Sequence, residues 1–207
     1  MSINKLLDVD MTYDTADMRN LQHRLGSLGG KANTVMSRAA NRAAARANTV
    51  MKQQASKEYF VTQKRIASVT YIRRATTASP TASVMAKDTH DNLYQFKVTP
   101  ARIARPKGEN RKPPKVYYAQ VRKSGGRKAL STAPRPFVAQ MKNGHIGLFQ
   151  RKSTSKKKRG IKAIFGPSIP QLLKKKEIID KVEEEAGEVL LKRIDHELDR
   201  ILKGGMR

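Results

Sequence analysis

An α+β fold is predicted for this chain by three observations. Apolar residues recur at three- and four-residue spacing near both ends, the pattern of amphipathic helices. Between about residues 69 and 165 they alternate in short runs separated by Pro, Gly and Ser, as in half-buried strands. Residues 101–163 carry 19 Lys/Arg against one acid, Glu109, a density suited to loops and outward faces. The expected architecture is N-terminal helices, one of them long and Ala-rich, a central mixed or antiparallel sheet with long basic loops, and a long C-terminal amphipathic helix packed on the sheet. Residues 1–60 form the helical segment and 61–207 the α+β domain, or the two make one continuous domain.

The elements follow in order. Leu21, Leu25 and Leu28 fall at helical spacing after a cap at Asp14 or Thr15, and Gly29-Gly30 stops that helix. A second helix reads from about Ala32 to Tyr59, with an apolar face of Val35, Met36, Ala39, Ala43, Ala47, Val50 and Met51. Arg38, Arg42 and Arg46 form a parallel basic ridge. Small residues on a helix face permit close approach of another helix, either within the chain or at a subunit contact.

Strands are expected at 69–72 and 83–86, and over Tyr94, Phe96 and Val98, where alternation runs up to Pro100. The Pro-rich, basic stretch 101–115 is a loop. Tyr117, Ala119 and Val121 resume alternation before a flexible Ser124-Gly125-Gly126 tip. Phe137–Met141, Asn143-Gly144 and Ile146–Phe149 make the strongest hairpin signal, and Asn-Gly suits a type I′ turn. A strand from Ile161 to Phe165 and a Pro-punctuated turn at 166–170 lead to the terminal helix. Its apolar face is Ile179, Val182, Ala186, Leu190, Ile194, Leu198 and Ile201, and Gly204-Gly205 ends it. Leu190, Ile194 and Leu198, with Ala39, Ala43 and Ala47, are the candidates for packing between subunits.

Composition narrows function. Cysteine is absent, which removes disulfides, thiolate zinc sites and cysteine nucleophiles and fits a reducing cytoplasm. The N-terminus has no signal-peptide hydrophobic region, and no apolar run approaches the length needed to cross a bilayer. The chain reads as soluble. His196-Glu197 opens like a zincin motif, but Arg200 stands where the second histidine belongs. Gly26 to Lys31 resembles a phosphate loop one residue too short, without the Ser/Thr that holds magnesium. No catalytic constellation, cofactor site or metal site is expected.

Charge is the informative property. The net is +26, of which +18 lies in residues 101–163, while residues 164–207 balance nine bases with nine acids. Self-repulsion of this size implies a polyanionic partner. Arg111, Lys112, Lys115, Arg122, Lys123, Arg127, Lys128, Arg151, Lys152, Lys156, Lys157, Lys158 and Arg159 recur at loops and strand ends. The loops 101–130 and 150–160 therefore carry the candidate nucleic-acid or acidic-partner contacts. Without a zinc finger, a basic zipper or RNA-stacking aromatics, such cations position a phosphate backbone rather than read sequence. A single solvated basic run is the bland alternative, and clusters dispersed over 50 residues fit it poorly.

The order of these features resembles the minor tail protein Z (tail completion) family of long-tailed bacteriophages. The residues that carry it are Ala39-Ala40-Asn41-Arg42, then Lys64-Arg65-Ile66 through Arg73-Arg74-Ala75-Thr76, and Ala82-Ser83-Val84 after a Pro. The most distinctive are Phe137-Val138-Ala139-Gln140-Met141-Lys142-Asn143-Gly144-His145 and Phe149-Gln150-Arg151. The similarity runs from about residue 30 to the C-terminus. It implies a structural protein of the virion, assembled in the host cytoplasm, at the head-proximal end of the tail near the terminator, the tape measure or the neck proteins. It also implies a homo-oligomer, a sixfold ring around the DNA path, that binds duplex DNA nonspecifically, touches no membrane and has no catalytic residues. The competing class is a nucleic-acid binder outside the virion, ribosome- or nucleoid-associated; an enzyme stands third. Six copies at +26 exceed the roughly 24 phosphates on the roughly 40 Å of duplex such a ring encloses. Acidic neighbours, as well as DNA, are therefore expected to meet the basic loops.

Overall fold

A computed structural model of the protein describes residues 5–11, 15–103, 114–153 and 160–204. The chain opens with strand β1 (Lys5–Met11) and continues through helix α1 (Thr15–Leu25), a 3-10 turn (Gly26–Lys31), the long α2 (Ala32–Glu58) and the short α3 (Gln63–Ala67). Then come β2 (Thr70–Arg73), β3 (Ala82–Asp88), a 3-10 turn (Leu93–Gln95), β4 (Lys97–Thr99), β5 (Tyr117–Gln120) and β6 (Lys128–Leu130). The last elements are β7 (Phe137–Gln140), β8 (Ile146–Arg151), β9 (Ile161–Ala163), α4 (Ile169–Leu173) and α5 (Lys176–Gly204). The α+β class holds, and the strands divide into three antiparallel sheets ordered β1-β3-β2, β4-β5-β6 and β7-β8-β9.

The helix ends follow from local chemistry. Gly26 adopts φ +52°, the left-handed conformation that closes a helix C-terminus. It stops α1 four residues before Gly30 and leaves the expected helical Leu28 in the 3-10 turn. Thr62 Oγ1 accepts the Arg65 N–H at 3.2 Å and caps α3. Ser168 N–H donates to Gln171 Oε1 at 3.0 Å at the start of α4, where Pro170 sits in the first turn.

Three local expectations are corrected. Tyr94, Phe96 and Val98 do not form one strand: Asn92 Oδ1 accepts the Tyr94 N–H at 3.0 Å and winds residues 93–95 into a 3-10 turn. The Asn-Gly hairpin is present, but its turn is not type I′, because φ is positive at Gly144 (+81°) and at no non-glycine residue among those described. Gly144 N–H reaches Met141 C=O at 2.9 Å and Met141 N–H reaches His145 C=O at 2.8 Å. This is a type I turn followed by a left-handed glycine, the usual three-residue hairpin loop. The tip at Ser124-Gly125-Gly126 is tied down: Gln120 Nε2 donates to the carbonyls of Lys123 and Gly125, at 3.1 and 2.6 Å.

One core joins the helices to the sheets. Ala40, Ala43, Ala44, Ala47, Val50, Met51 and Ala55 of α2 share it with Val84 of β3, Tyr117 of β5, Val138 of β7 and Leu148 of β8. The C-terminal helix joins this core through Ile178, Val182 and Ala186, and its most extensive packing is against α2. A smaller cluster, Leu21, Leu25, Ala32, Val35, Met36 and Leu198, seals the end where α1, α2 and α5 meet. Alanine permits this arrangement: α2 lies between α5 and the β1-β3-β2 sheet, and a larger side chain on either side would hold the layers apart.

Asn92 ties the β7-β8-β9 sheet to the preceding turn. Its Oδ1 accepts the Leu148 N–H at 2.9 Å and its Nδ2 donates to Leu148 C=O at 3.3 Å. Leu93 N–H donates to Ile164 C=O and Gly166 N–H to Asp91 C=O, both at 2.8 Å. Asn92→Ala strands the buried Leu148 N–H, while the Leu148 carbonyl keeps the Ile164 N–H at 3.0 Å, and we expect a loss of about 2 kcal/mol in urea unfolding. A loss under about 0.5 kcal/mol would mean that water replaces the amide.

Candidate interaction surfaces

The basic residues divide by what surrounds them. On the helices α1, α2 and α5, much of the positive charge is matched within the chain. Arg24 pairs with Asp195 at 3.0 Å, Arg38 with Glu197 at 3.2 Å, and Arg46 with Glu185. Residue numbers rise along α2 as they fall along α5, so the helices run antiparallel. Glu197 is 1% exposed and also receives Arg193 at 2.7 Å and Arg200 at 2.9 Å. A carboxylate buried this deeply is retained because three half-exposed guanidinium groups close over it. The ridge read from the sequence is thus largely an intramolecular seam, with Arg42 exposed beside it.

A second matched cluster lies beside the β1-β3-β2 sheet. Arg65 donates to Asp88 and Asp91, each at 2.6 Å, with both carboxylates about nine-tenths covered. Burial works against the charge of Arg65, but its hydrogen bonds to Asp91 and Asp88 outweigh that and raise its pKa.

The candidate contacts fall into several groups. Arg111, Lys112, Lys156, Lys157, Lys158 and Arg159 lie outside the described residues. Arg122 already has partners inside the chain: it reaches Glu58 at 3.2 Å and Glu177 at 3.8 Å, joining the end of α2 to the start of α5. Burial and the Glu58 carboxylate push the nearby Tyr59 phenol above its ordinary pKa, while Arg122 works the other way. Lys123 Nζ donates to Ser56 C=O at 2.8 Å. Lys123 and Lys97 flank the Phe60 ring at 5.8 and 4.8 Å from its centroid, beside a shallow depression of about 300 Å³. Arg151 stacks over Phe137 at 5.3 Å.

Lys115, Arg127, Lys128 and Lys152 are exposed, and no carboxylate among the described residues pairs with them. Arg127 and Lys128 lead into β6. Arg151 and Lys152 sit at the end of β8, where Lys152 N–H bonds Gly160 C=O at 2.9 Å across the neck of the loop that carries Lys156 to Arg159. Among the described residues no three His, Asp or Glu side chains are placed to hold a metal ion, and no helix is long and apolar enough to cross a membrane.

The residues expected to pack between subunits are largely used inside the chain. Ala39, Ala43 and Ala47 have no exposed area and Leu198 has 1%, all four covered by other parts of the chain. Leu190 and Ile194 are half-buried against the same clusters. The two most exposed large apolar residues among those described are others: Leu191 on α5 at 66% and Phe165, two residues past β9, at 60%. Phe165 was readable as the end of the Ile161, Ala163, Phe165 alternation. Leu191 was hidden as the second leucine of a pair.

No match to the chain was found among curated proteins or among solved structures. A profile of the family described as prophage minor tail protein Z matches residues 20–204, nearly the whole chain beyond β1 and the start of α1. With its seam of matched charge along α2 and α5 and its unmatched cations in the middle, the chain belongs to the prophage minor tail protein Z family.

Proposed function

We propose that this chain is a structural component of the phage tail at its head-proximal end, where copies assemble in a ring around the DNA path. In this reading the helix pair is the frame, and the loops 101–130 and 150–160 meet DNA and the acidic surfaces of terminator, tape-measure or neck proteins. No bond is made or broken; the role is positional. The family supports a structural role in the tail. The observation that carries the finer reading is the division of charge. In the helical frame Arg24, Arg38 and Arg46 are matched internally, whereas Lys115, Arg127, Lys128 and Lys152 project without carboxylates among the described residues. Charge left unmatched in the free chain favours a bound partner of opposite sign.

The direct test is complementation of a phage lacking this gene product, followed by imaging of purified tails with the chain labelled. Density at the head-proximal end supports the reading, and density at the tip or none in the tail overturns it. The basic run gives a second test. Replacing Lys156, Lys157, Lys158 and Arg159 with Ala is expected to leave the unfolding midpoint unchanged and to lower the salt needed for elution from heparin. The log–log salt slope for duplex DNA should become shallower by about 0.9 for each phosphate that the variant no longer neutralises. Unchanged elution counts against a role for this run.

A further inference from the structure

Two surfaces of this chain are complementary in charge, and each carries an exposed apolar residue. The first is the outer face of the β7-β8-β9 sheet. Strand alternation places Val138 and Leu148 in the core and puts Phe137, Phe149 and Ala163 together across the other face, where Phe149 is 6% exposed and Phe137 and Ala163 are half-buried beside it. Phe137 and Phe149 are in ring contact at 6.4 Å. Ile161 (36% exposed) and Phe165 (60%) extend that face into solvent. Among the described residues of this sheet and its connections, Arg135, Lys142, Arg151, Lys152 and Lys162 are basic and none is acidic.

The second is a stripe on α5. Asp180, Glu184, Glu188, Leu191 and Asp195 follow at spacings of four, four, three and four, so they share one helix face. All four carboxylates have side chains more than half exposed, and Leu191 stands among them. Each acid pairs with an exposed cation of its own chain: Lys176, Lys181, Lys192 and Arg24. Exposed pairs of this kind hold by about 0–1 kcal/mol, so they can re-pair with a neighbour's cations at little cost.

We propose that the apolar, cation-rimmed outer face of the β7-β8-β9 sheet docks on the acidic α5 stripe of a second copy, with Phe165 against Leu191. The two patches differ, so the contact is head-to-tail, and repetition closes a ring or extends a filament. The proposal rests on the ring reading above and names the surfaces that would build it. A second copy is favoured over DNA because Ile161 and Phe165 present aliphatic and aromatic side chains to solvent at the rim of this face, which a phosphate backbone does not cover. This same chain carries the matching acidic stripe.

The natural chain has no cysteine, so one cysteine per variant reports the contact. Full-length Phe165→Cys and Leu191→Cys are mixed, oxidised mildly and resolved without reductant. The expected result is a cross-linked pair at roughly tenfold the yield of Phe165→Cys mixed with Ala45→Cys, an exposed α2 position. Adding Glu184→Lys and Glu188→Lys to the Leu191→Cys chain should abolish that excess, and Arg151→Glu with Lys152→Glu on the Phe165→Cys chain should restore it. Equal yields in all mixtures overturn the proposal. So does a yield that duplex DNA suppresses and the charge swap fails to restore, which would assign the face to DNA. Complementation by the unmodified chain is scored in parallel. Absence of cross-linking with the chain present in tails sinks this interface alone, and absence of the chain from tails sinks the functional reading.

Discussion

Arg65→Ala is expected to destabilise the protein by about 3–5 kcal/mol, among the largest effects of any single substitution here. The guanidinium donates to Asp88 at the end of β3 and to Asp91 in the following loop, and further to Ser68 Oγ at 3.1 Å. Removing it leaves two nearly covered carboxylates facing each other without a counter-charge. That arrangement costs more than the salt bridge itself contributes, because desolvation has already occurred. Because Asp91 C=O also receives Gly166 N–H at 2.8 Å, the disturbance should reach the junction between sheets. For a chain of this length the loss corresponds to a fall in melting temperature of roughly 10 °C. Asp88→Asn and Asp91→Asn introduced together into the Arg65→Ala chain should recover part of it, since two amides do not repel. A fall under about 2 °C, or no recovery in the triple variant, would show that the cluster is solvated rather than buried.

Ala43→Leu is expected to cost about 3 kcal/mol by overpacking. Ala43 has no exposed area and sits in the part of α2 covered by both α5 and the sheet. The added isopropyl group must displace a helix or force strained rotamers, which costs roughly 1–3 kcal/mol and more where neither side can yield. The partner layers here are pinned by Arg46 to Glu185 and by Arg38 to Glu197, so yielding is costly. Ala45→Leu is the control. Ala45 is exposed on the same helix, so leucine there should change stability by no more than about 0.5 kcal/mol. Urea denaturation of the two variants checks the contrast. Equal losses would mean that helix propensity, not packing, governs α2.

These effects follow from a division of labour inside a very basic chain. Most of the helix carboxylates are paired with cations of the helices or with Arg122, and Glu197 alone serves three arginines. Little negative charge is then left for the cations of the middle. Salt should accordingly change how the protein associates more than whether it folds, because exposed charge is screened and buried pairs are screened far less.

How much of this was legible differs by element. The long helix was read to within a residue, Ala32 to Tyr59 against Ala32–Glu58, because its periodicity is local and its ends are marked. The 137–149 hairpin was legible for the same reason. Strand β1 was not, although Leu7, Val9 and Met11 alternate with Asp8 and Asp10: the run is short, and its partner β3 is remote in the chain. Strand β6, only Lys128–Leu130, is too short to carry a pattern and exists through its pairing with β5.

Charge marks the boundary most clearly. Reading residues alone was enough to establish that the chain is strongly cationic, that its excess sits between residues 101 and 163, that helices flank its strands, and that the order of its motifs resembles the minor tail protein Z family. It took the folded arrangement to reveal that Arg122 is bound by Glu58 and Glu177, that the arginine ridge of α2 is consumed by α5, and that Leu191 rather than Leu190 meets solvent. The difference is one of range. Helical and strand periodicity are set by neighbours a few residues away, whereas neutralising a charge or covering a leucine depends on groups that only folding brings together, as with Arg24 and Asp195 at opposite ends of the chain.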